Sequence, residues 1–232
     1  MQRAELAAIA WTAVDARGYN SASLAPIWRA IKLMEPGYEY HVFVSYKRSG
    51  DVGEWVHNHF HPLLVRRLEA LLDEDPRVFI DREIDIGADW PTRLSDALHK
   101  SCCLVSIWTP SYFRSKWCLA EWQTIAERER IEVASNVGNR LSLTYPIVYS
   151  DGDSFPVEAK SVQGRLDMHD FAYPFEQFRR SEKYMAFFDR MHDVAESVAA
   201  RINSVPAWND NWPRLPRAVE PSPAAATQFA RL

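Results

Sequence analysis

The segment CCLVSIW (102–108) is the feature of this sequence that most limits its fold. A run without charge and without polar–apolar alternation is typical of a strand buried on both faces, at the centre of a parallel sheet. Three more apolar runs rich in β-branched and aromatic residues, at 40–46, 77–80 and 142–150, predict further strands. A short edge strand is expected near 164–168, which makes about five strands in total.

Helical patterns separate these strands. A short helix is predicted over 54–60, a second from Pro62, and longer ones over 92–101, 116–134 and 181–203. Strands that alternate with helices form a parallel sheet with helices on both faces, and right-handed crossovers leave one dominant layout. The sequence therefore predicts an α/β fold with an open, doubly wound parallel sheet.

The predicted sheet also selects the loops that can carry chemistry. Ligands of doubly wound sheets bind beyond the carboxyl ends of the strands. The loops at that edge are 46–53, 81–92, 108–117 and 150–156. Any site is expected there.

Three segments make up the predicted domain organisation. Residues 1–37 contain two short amphipathic helical patterns that end at Pro36-Gly37, and we predict an N-terminal helical extension. The α/β domain is expected over 38–204. Prolines among small residues over 205–232 predict a tail or linker.

The composition argues against several function classes. A net charge of −4 provides no basic field that would attract nucleic acid or an anionic membrane. The apolar runs are far shorter than the roughly 20 residues that a membrane helix needs. The three cysteines give no disulfide framework and suit a reducing cytosol, so a cytoplasmic location is expected. The glycine-rich dinucleotide fingerprint and the P-loop are absent, which disfavours conventional cofactor binding.

The histidines of HNHFH (57–61) are a weak metal candidate. On a helix His57 and His61 share a face and His59 points away. No cysteine or acidic partner stands at ligand spacing nearby, so we expect solvated or capping histidines and no metal site.

Glu121 has unusual neighbours, in the segment SKWCLAEWQ (115–123). Helical spacing places it at the border of an apolar arc next to Ile125, with Trp117 one turn earlier on its other side. A carboxylate there would be partly desolvated beside an indole, near the ligand edge of the sheet. The residues alone fit both a functional carboxylate and a first-turn glutamate that complements the helix dipole.

Two cations, Lys47 and Arg48, directly follow the first predicted strand in KRSGD (47–51). One interpretation is a solvated loop. The other is an anion-binding site at the ligand edge of the sheet. Spacing alone favours the solvated loop.

Three segments together resemble the motifs of Toll/interleukin-1 receptor (TIR) domains. VFVSYKRSGD (42–51) is similar to the first motif of these domains, and FIDREIDIGADW (79–90) is similar to their BB loop. TPSYFRSKWCLAE (109–121) resembles the SPxYxxSxWCxxE element of bacterial TIR proteins. The three segments occur in the family's order on the predicted strands and helices. The resemblance implies a flavodoxin-like TIR fold over 38–204.

The resemblance also implies an activity, because many TIR domains are NAD+ glycohydrolases, whereas others are non-enzymatic scaffolds. In the enzymatic members a glutamate on the helix after the third strand is catalytic, and Glu121 matches it. Trp117 matches an aromatic residue that walls the nicotinamide pocket. The other matching substrate-side positions are Tyr46, Lys47 and Arg48 after the first strand, and Arg82 and Trp90 in the BB loop.

The implied substrate is NAD+, with no additional cofactor. Cleavage would give nicotinamide plus ADP-ribose or a cyclic isomer. The resemblance further implies self-association through the BB loop (81–92), activation by a partner protein or second domain, and a role in bacterial antiphage immunity. The alternative is a scaffold that acts only through TIR–TIR contact.

Overall fold

The strands form one parallel sheet. A computed structural model describes residues 37–81, 90–135, 141–150 and 152–216 of the 232-residue chain. Within these ranges the strands are β1 Tyr40–Ser45, β2 Val78–Ile80, β3 Ser101–Trp108, β4 Thr144–Val148 and β5 Leu166–Asp167. Their order is β2-β1-β3-β4-β5, and every neighbouring pair is parallel. The predicted α/β fold with a doubly wound sheet of five strands is confirmed.

Helices connect the strands. The described helices are α1 Asp51–Trp55, a π-helix Val56–Phe60, α2 His61–Glu69, α3 Trp90–His99, α4 Lys116–Ser135, α5 Val157–Ser161 and α6 Glu182–Ser204. Two short 3-10 turns, His169–Phe171 and Glu176–Arg180, lie between β5 and α6. None of these helices is both long enough and apolar enough to cross a membrane.

The helices before and after Pro62 were predicted as separate, but the structure joins them without a gap through the π-helix. Pro62 lies in the first turn of α2 and has no N–H to donate to the carbonyl of Asn58, four residues earlier. The guanidinium of Arg179 donates to that carbonyl instead. A side chain thus supplies a donor to the carbonyl that Pro62 cannot bond.

Helices cover both faces of the sheet. On one face α2 and α6 pack together, and the Arg201 guanidinium of α6 lies 4.5 Å from the ring centroid of Tyr145 on β4. Tyr145 is in register with Val105, so Trp108, three residues further along β3, points to the other face. There Trp122 of α4 meets Trp108, with ring centroids 5.4 Å apart. Strand β3 is buried along its whole length, as predicted for a central strand.

The strand order reverses between β1 and β3. The connection after β1 leads outward to β2, and the connection after β3 leads to β4 in the opposite direction. Ser45, the last residue of β1, is in register with Ser106 of β3, so the two strands end side by side. The space between the carboxyl ends of β1 and β3 is the topological switch point, where doubly wound sheets bind ligands.

Residues 205–216, which we call the C-terminal strap, lie against the domain. They have no regular secondary structure. Their buried residues are Val205, Pro206, Trp212 and Leu215. The Arg128 guanidinium lies 3.7 Å from the ring centroid of Trp212, and Trp212 Nε1 donates to the Glu132 carboxylate at 3.0 Å. The strap is therefore bound to the C-terminal half of α4.

Residues 205–216 belong to the segment 205–232 that was predicted as a tail or linker, and in the structure they contact α4. Proline content indicated an extended segment, but the aromatic and aliphatic residues among the prolines find partners on α4. Residues 217–232 lie outside the described residues. So does the predicted N-terminal extension over 1–37, apart from Gly37.

Candidate functional site

Glu121 is buried at the ligand-binding edge of the sheet. It lies near the start of α4, and only 5 % of the residue is exposed. Ser45 at the end of β1 donates a hydrogen bond to Oε2 of Glu121. The Ser45 hydroxyl also lies 2.9 Å from the hydroxyl of Tyr112, in the loop after β3. The carboxyl group is thus held by Ser45 at the end of β1, and Ser45 is in turn contacted by Tyr112 from the loop after β3.

This environment changes the charge of Glu121. Burial raises the pKa of its carboxyl group from 4.5 to about 8. The Asp81 carboxyl group raises that pKa further, whereas the hydrogen bond from Ser45 and the charge of Arg48 lower it. A carboxyl group with this pKa is largely protonated at pH 7, and a cation brought beside it would favour the ionised form.

Four side chains, from two loops and two helices, form a cluster at the same edge. Arg48 forms an ion pair with Asp81, and its guanidinium lies 4.5 Å from the centroid of the Trp90 ring. Trp90 Nε1 donates to Asp81 Oδ1 at 3.0 Å. Trp90 and Trp117 meet edge to face, with ring centroids 4.6 Å apart. The structure therefore brings together Arg48, Trp90 and Trp117, three of the residues predicted from sequence.

The other predicted residues lie elsewhere. Tyr46 is buried, and its hydroxyl is 3.0 Å from Nε2 of His57 in the π-helix. The Tyr46 side chain thus meets the π-helix, whereas the side chain of Ser45, the preceding residue, meets Glu121 of α4. The backbone carbonyl of Tyr46 accepts a hydrogen bond from Cys118 Sγ of α4 at 3.6 Å. Lys47 is half-buried beside Arg48.

The eight residues 82–89 of the predicted BB loop, with Arg82 among them, lie outside the described residues. The prediction that Arg82 contacts the substrate therefore remains a prediction. The described end of this loop supplies Asp81 and Trp90.

Sequence reasoning missed three residues of this site: Ser45, Asp81 and Tyr112. Ser45 is the hydroxyl residue that ends β1, and Asp81 is the first residue beyond β2. Tyr112 lies in the loop that follows β3. That position was the available signal. The sequence pattern does not show which polar group each of these side chains contacts in the folded protein.

Of the HNHFH histidines, predicted to be solvated or capping, His59 is buried in the domain, whereas His57 and His61 are half-buried. His59 is buried, with Nε2 3.0 Å from the carbonyl oxygen of Phe175, and burial lowers its pKa. His57 contacts Tyr46. Within the described ranges, no three His, Cys, Asp or Glu side chains are placed to hold a metal ion together.

Comparison with known proteins identifies the family. The model of the family described as “TIR domain” matches residues 42–178, more than half of the 232 residues. No curated protein sequence matches the chain.

Two solved structures are similar to this chain. The TIR domain of the Toll-related receptor TRR-2 from the lower metazoan Hydra magnipapillata is 19 % identical, with a TM-score of 0.39, and the match covers 66 % of this chain and 98 % of that one. The TIR domains of the activated Roq1 resistosome directly recognizing the pathogen effector XopQ are 21 % identical, with a TM-score of 0.34, and the match covers 68 % and 84 %. The family match, which extends from β1 into the second 3-10 turn and includes all three sequence motifs, shows that this chain belongs to the TIR-domain family.

Proposed function

We propose that this protein is an NAD+ glycohydrolase that breaks the bond between nicotinamide and ribose. The observation that supports this most is the Glu121 carboxyl group, buried at the switch point of the sheet. Some TIR domains cleave NAD+, and Glu121 matches the position of their catalytic glutamate. A glutamate with a purely structural role at the start of a helix would gain more from exposure near the backbone N–H groups than from burial.

The reaction needs a single carboxylate. When the nicotinamide–ribose bond breaks, its electron pair passes to the ring nitrogen, which is cationic in NAD+ and becomes neutral. No general acid is required, unlike in glycoside hydrolysis, where a second carboxyl group protonates the leaving oxygen. Positive charge develops on the ribose C1′, and an ionised Glu121 would stabilise it. Water then adds to C1′ and releases a proton, which gives ADP-ribose.

The substrate supplies the charge that ionises Glu121. The nicotinamide ring carries a positive charge, and a cation next to a buried carboxyl group favours the carboxylate. Trp90 and Trp117 provide aromatic surface for that ring. Arg48 and Lys47 can bind the pyrophosphate. Arg48 is paired with Asp81 in the ligand-free protein, so substrate binding would exchange one anionic partner for another.

The fate of the ribosyl cation determines the product. Capture by water gives ADP-ribose, whereas capture by the adenine or a ribose hydroxyl of the same molecule gives a cyclic isomer. Self-association through the BB loop (81–92) and an activating partner are part of the proposal, as the resemblance implies. The same resemblance suggests bacterial antiphage immunity through NAD+ depletion or a nucleotide signal.

A scaffold that acts through TIR–TIR contact is the second candidate function. One observation favours it: Glu121 is 5 % exposed and Arg48 is paired with Asp81. A scaffold can keep this arrangement, whereas an enzyme must break the ion pair and expose Glu121 to bind NAD+.

One experiment separates the two functions. The purified full chain is incubated at high concentration with NAD+, with and without a crowding agent, and the products are resolved by chromatography and mass. An enzyme releases nicotinamide, and Glu121→Gln abolishes the release while the circular dichroism spectrum and unfolding transition are retained. Absence of nicotinamide under every condition, or full activity of Glu121→Gln, would refute the catalytic assignment.

A further inference from the structure

Glu121 depends on a very small set of partners. Among the described residues, Ser45 alone hydrogen-bonds to its carboxyl group. Ser45 is 1 % exposed, and Tyr112 behind it is completely buried. Solvent therefore does not reach these hydroxyl groups to replace either bond.

The direction of the two hydrogen bonds follows from their protons. When Glu121 is ionised, Ser45 donates its one hydroxyl proton to Oε2 of Glu121. The hydroxyl of Tyr112, 2.9 Å from Ser45 Oγ, must then donate to Ser45. Tyr112 remains a donor at any physiological pH, because burial raises the pKa of its phenol well above 10.0.

We propose that Ser45 and Tyr112 form a hydroxyl relay that positions Glu121 for catalysis: Tyr112 orients Ser45, and Ser45 fixes Oε2 so that Oε1 faces the ribose. This inference rests on the proposed function. Both are positioning residues, since each acts through Glu121. Ser45 lies at the end of β1 and Tyr112 in the loop after β3. The residues that orient the Glu121 carboxylate therefore lie at the switch point itself.

A matched control is present in the neighbouring strand. Ser106 of β3 is in register with Ser45, and both residues are buried. The Ser106 hydroxyl has no hydrogen-bond partner among the described residues. Ser106→Ala removes the same atom from the same layer of the domain without touching Glu121, so it measures the effect of deleting a buried hydroxyl as such.

The kinetic test compares Ser45→Ala with Ser106→Ala in the full chain, with NAD+ as substrate. Misorienting a catalytic group can cost on the order of 100-fold in rate. We expect Ser45→Ala to lower kcat about 10- to 100-fold with KM changed less than about threefold, and Ser106→Ala to leave both unchanged. We expect a smaller loss in Tyr112→Phe, and no further loss when it is added to Ser45→Ala, because Tyr112 acts through Ser45. Equal effects of the two serine substitutions, or additive effects of Ser45→Ala and Tyr112→Phe, would overturn the relay.

A second readout does not require activity. The ionisation of Glu121 is followed as the difference in unfolding free energy between each variant and the same variant carrying Glu121→Gln, across pH. The hydrogen bond from Ser45 favours the carboxylate, so Ser45→Ala should raise the pH at the midpoint of this difference curve by at least about half a pH unit. Ser106→Ala should leave that pH unchanged. If Ser45→Ala does not fold, Tyr112→Phe should move the midpoint in the same direction. An inactive wild-type protein would refute the proposed function, and an unmoved midpoint would refute the relay.

Discussion

Arg48 and Asp81 form an ion pair between the loops that follow β1 and β2. These strands are neighbours, and Val44 of β1 is in register with Ile80 of β2, so the residues just beyond them meet at one edge. The guanidinium that the proposed function assigns to the pyrophosphate of NAD+ is thereby already oriented by a carboxylate.

Arg48→Met should weaken substrate binding more than it slows the chemical step. Loss of charged hydrogen bonds to a phosphate costs about 1.5–3 kcal/mol, which corresponds to a KM about 10- to 100-fold higher. The pyrophosphate is remote from the bond that breaks, so kcat should change less than about threefold. Initial-rate measurements over a range of NAD+ concentrations test this. Arg66→Met, an exposed residue of α2, serves as the control, and an unchanged KM in Arg48→Met would contradict the assignment.

The activity should rise with pH. The ionised form of Glu121 is the one that stabilises positive charge, and its pKa in the ligand-free protein is about 8. The value of kcat/KM should therefore increase up to about pH 8 and then level off, because this ratio reports the free enzyme. The midpoint of kcat should lie at lower pH, since bound NAD+ brings a cation. A kcat/KM that falls between pH 6 and pH 8 would exclude the carboxylate as the active form.

The fold could be predicted because its signals are local. Each strand from 40–46 to 142–150 is an apolar run bounded by turns, and the right-handed crossover rule leaves one sheet topology. Glu121 was found because a carboxylate at the edge of an apolar helical arc is a local anomaly. Periodicity placed it at the border of the core, and the structure buries it almost completely.

The partners of Glu121 could not be predicted, because they are non-local. Ser45 lies 76 residues before it in sequence, and only the packing of α4 on β1 makes the two meet. Tyr46 illustrates the converse: the family resemblance assigns it to the substrate, but its side chain contacts His57 in the π-helix. The strap was missed for the same reason, since Trp212 among prolines gives no sign of Arg128 as its partner.

The contribution of Glu121 to the free energy of unfolding should fall as pH rises from about 4.5 to about 8. The folded state keeps the Glu121 proton up to about pH 8, whereas the unfolded chain loses it near 4.5. The folded state thus binds more protons in this window, and the free energy of unfolding falls with a contribution of up to about 1.4 kcal/mol per pH unit from this group. Urea unfolding of wild type and of Glu121→Gln across pH tests this, since glutamine does not titrate. A difference curve that is flat from pH 5 to pH 8 would show that Glu121 is ionised in the folded state.

The strap should contribute to stability. Trp212 is buried, stacks on Arg128 and donates to Glu132, so Trp212→Ala leaves a cavity and removes two contacts to α4. Large-to-small changes of this kind cost about 3–5 kcal/mol, and we expect that loss in urea unfolding at constant pH. Val133→Ala, on the same helix but 68 % exposed, should change the free energy of unfolding by less than about 0.5 kcal/mol.

The activity of Trp212→Ala should be retained per folded molecule. Arg128, the partner of Trp212, bonds to Ser101 at the start of β3, which is the opposite end of that strand from Tyr112 and the switch point, so kcat should not change. A Trp212→Ala protein as stable as wild type would mean that residues 205–216 are a tail after all.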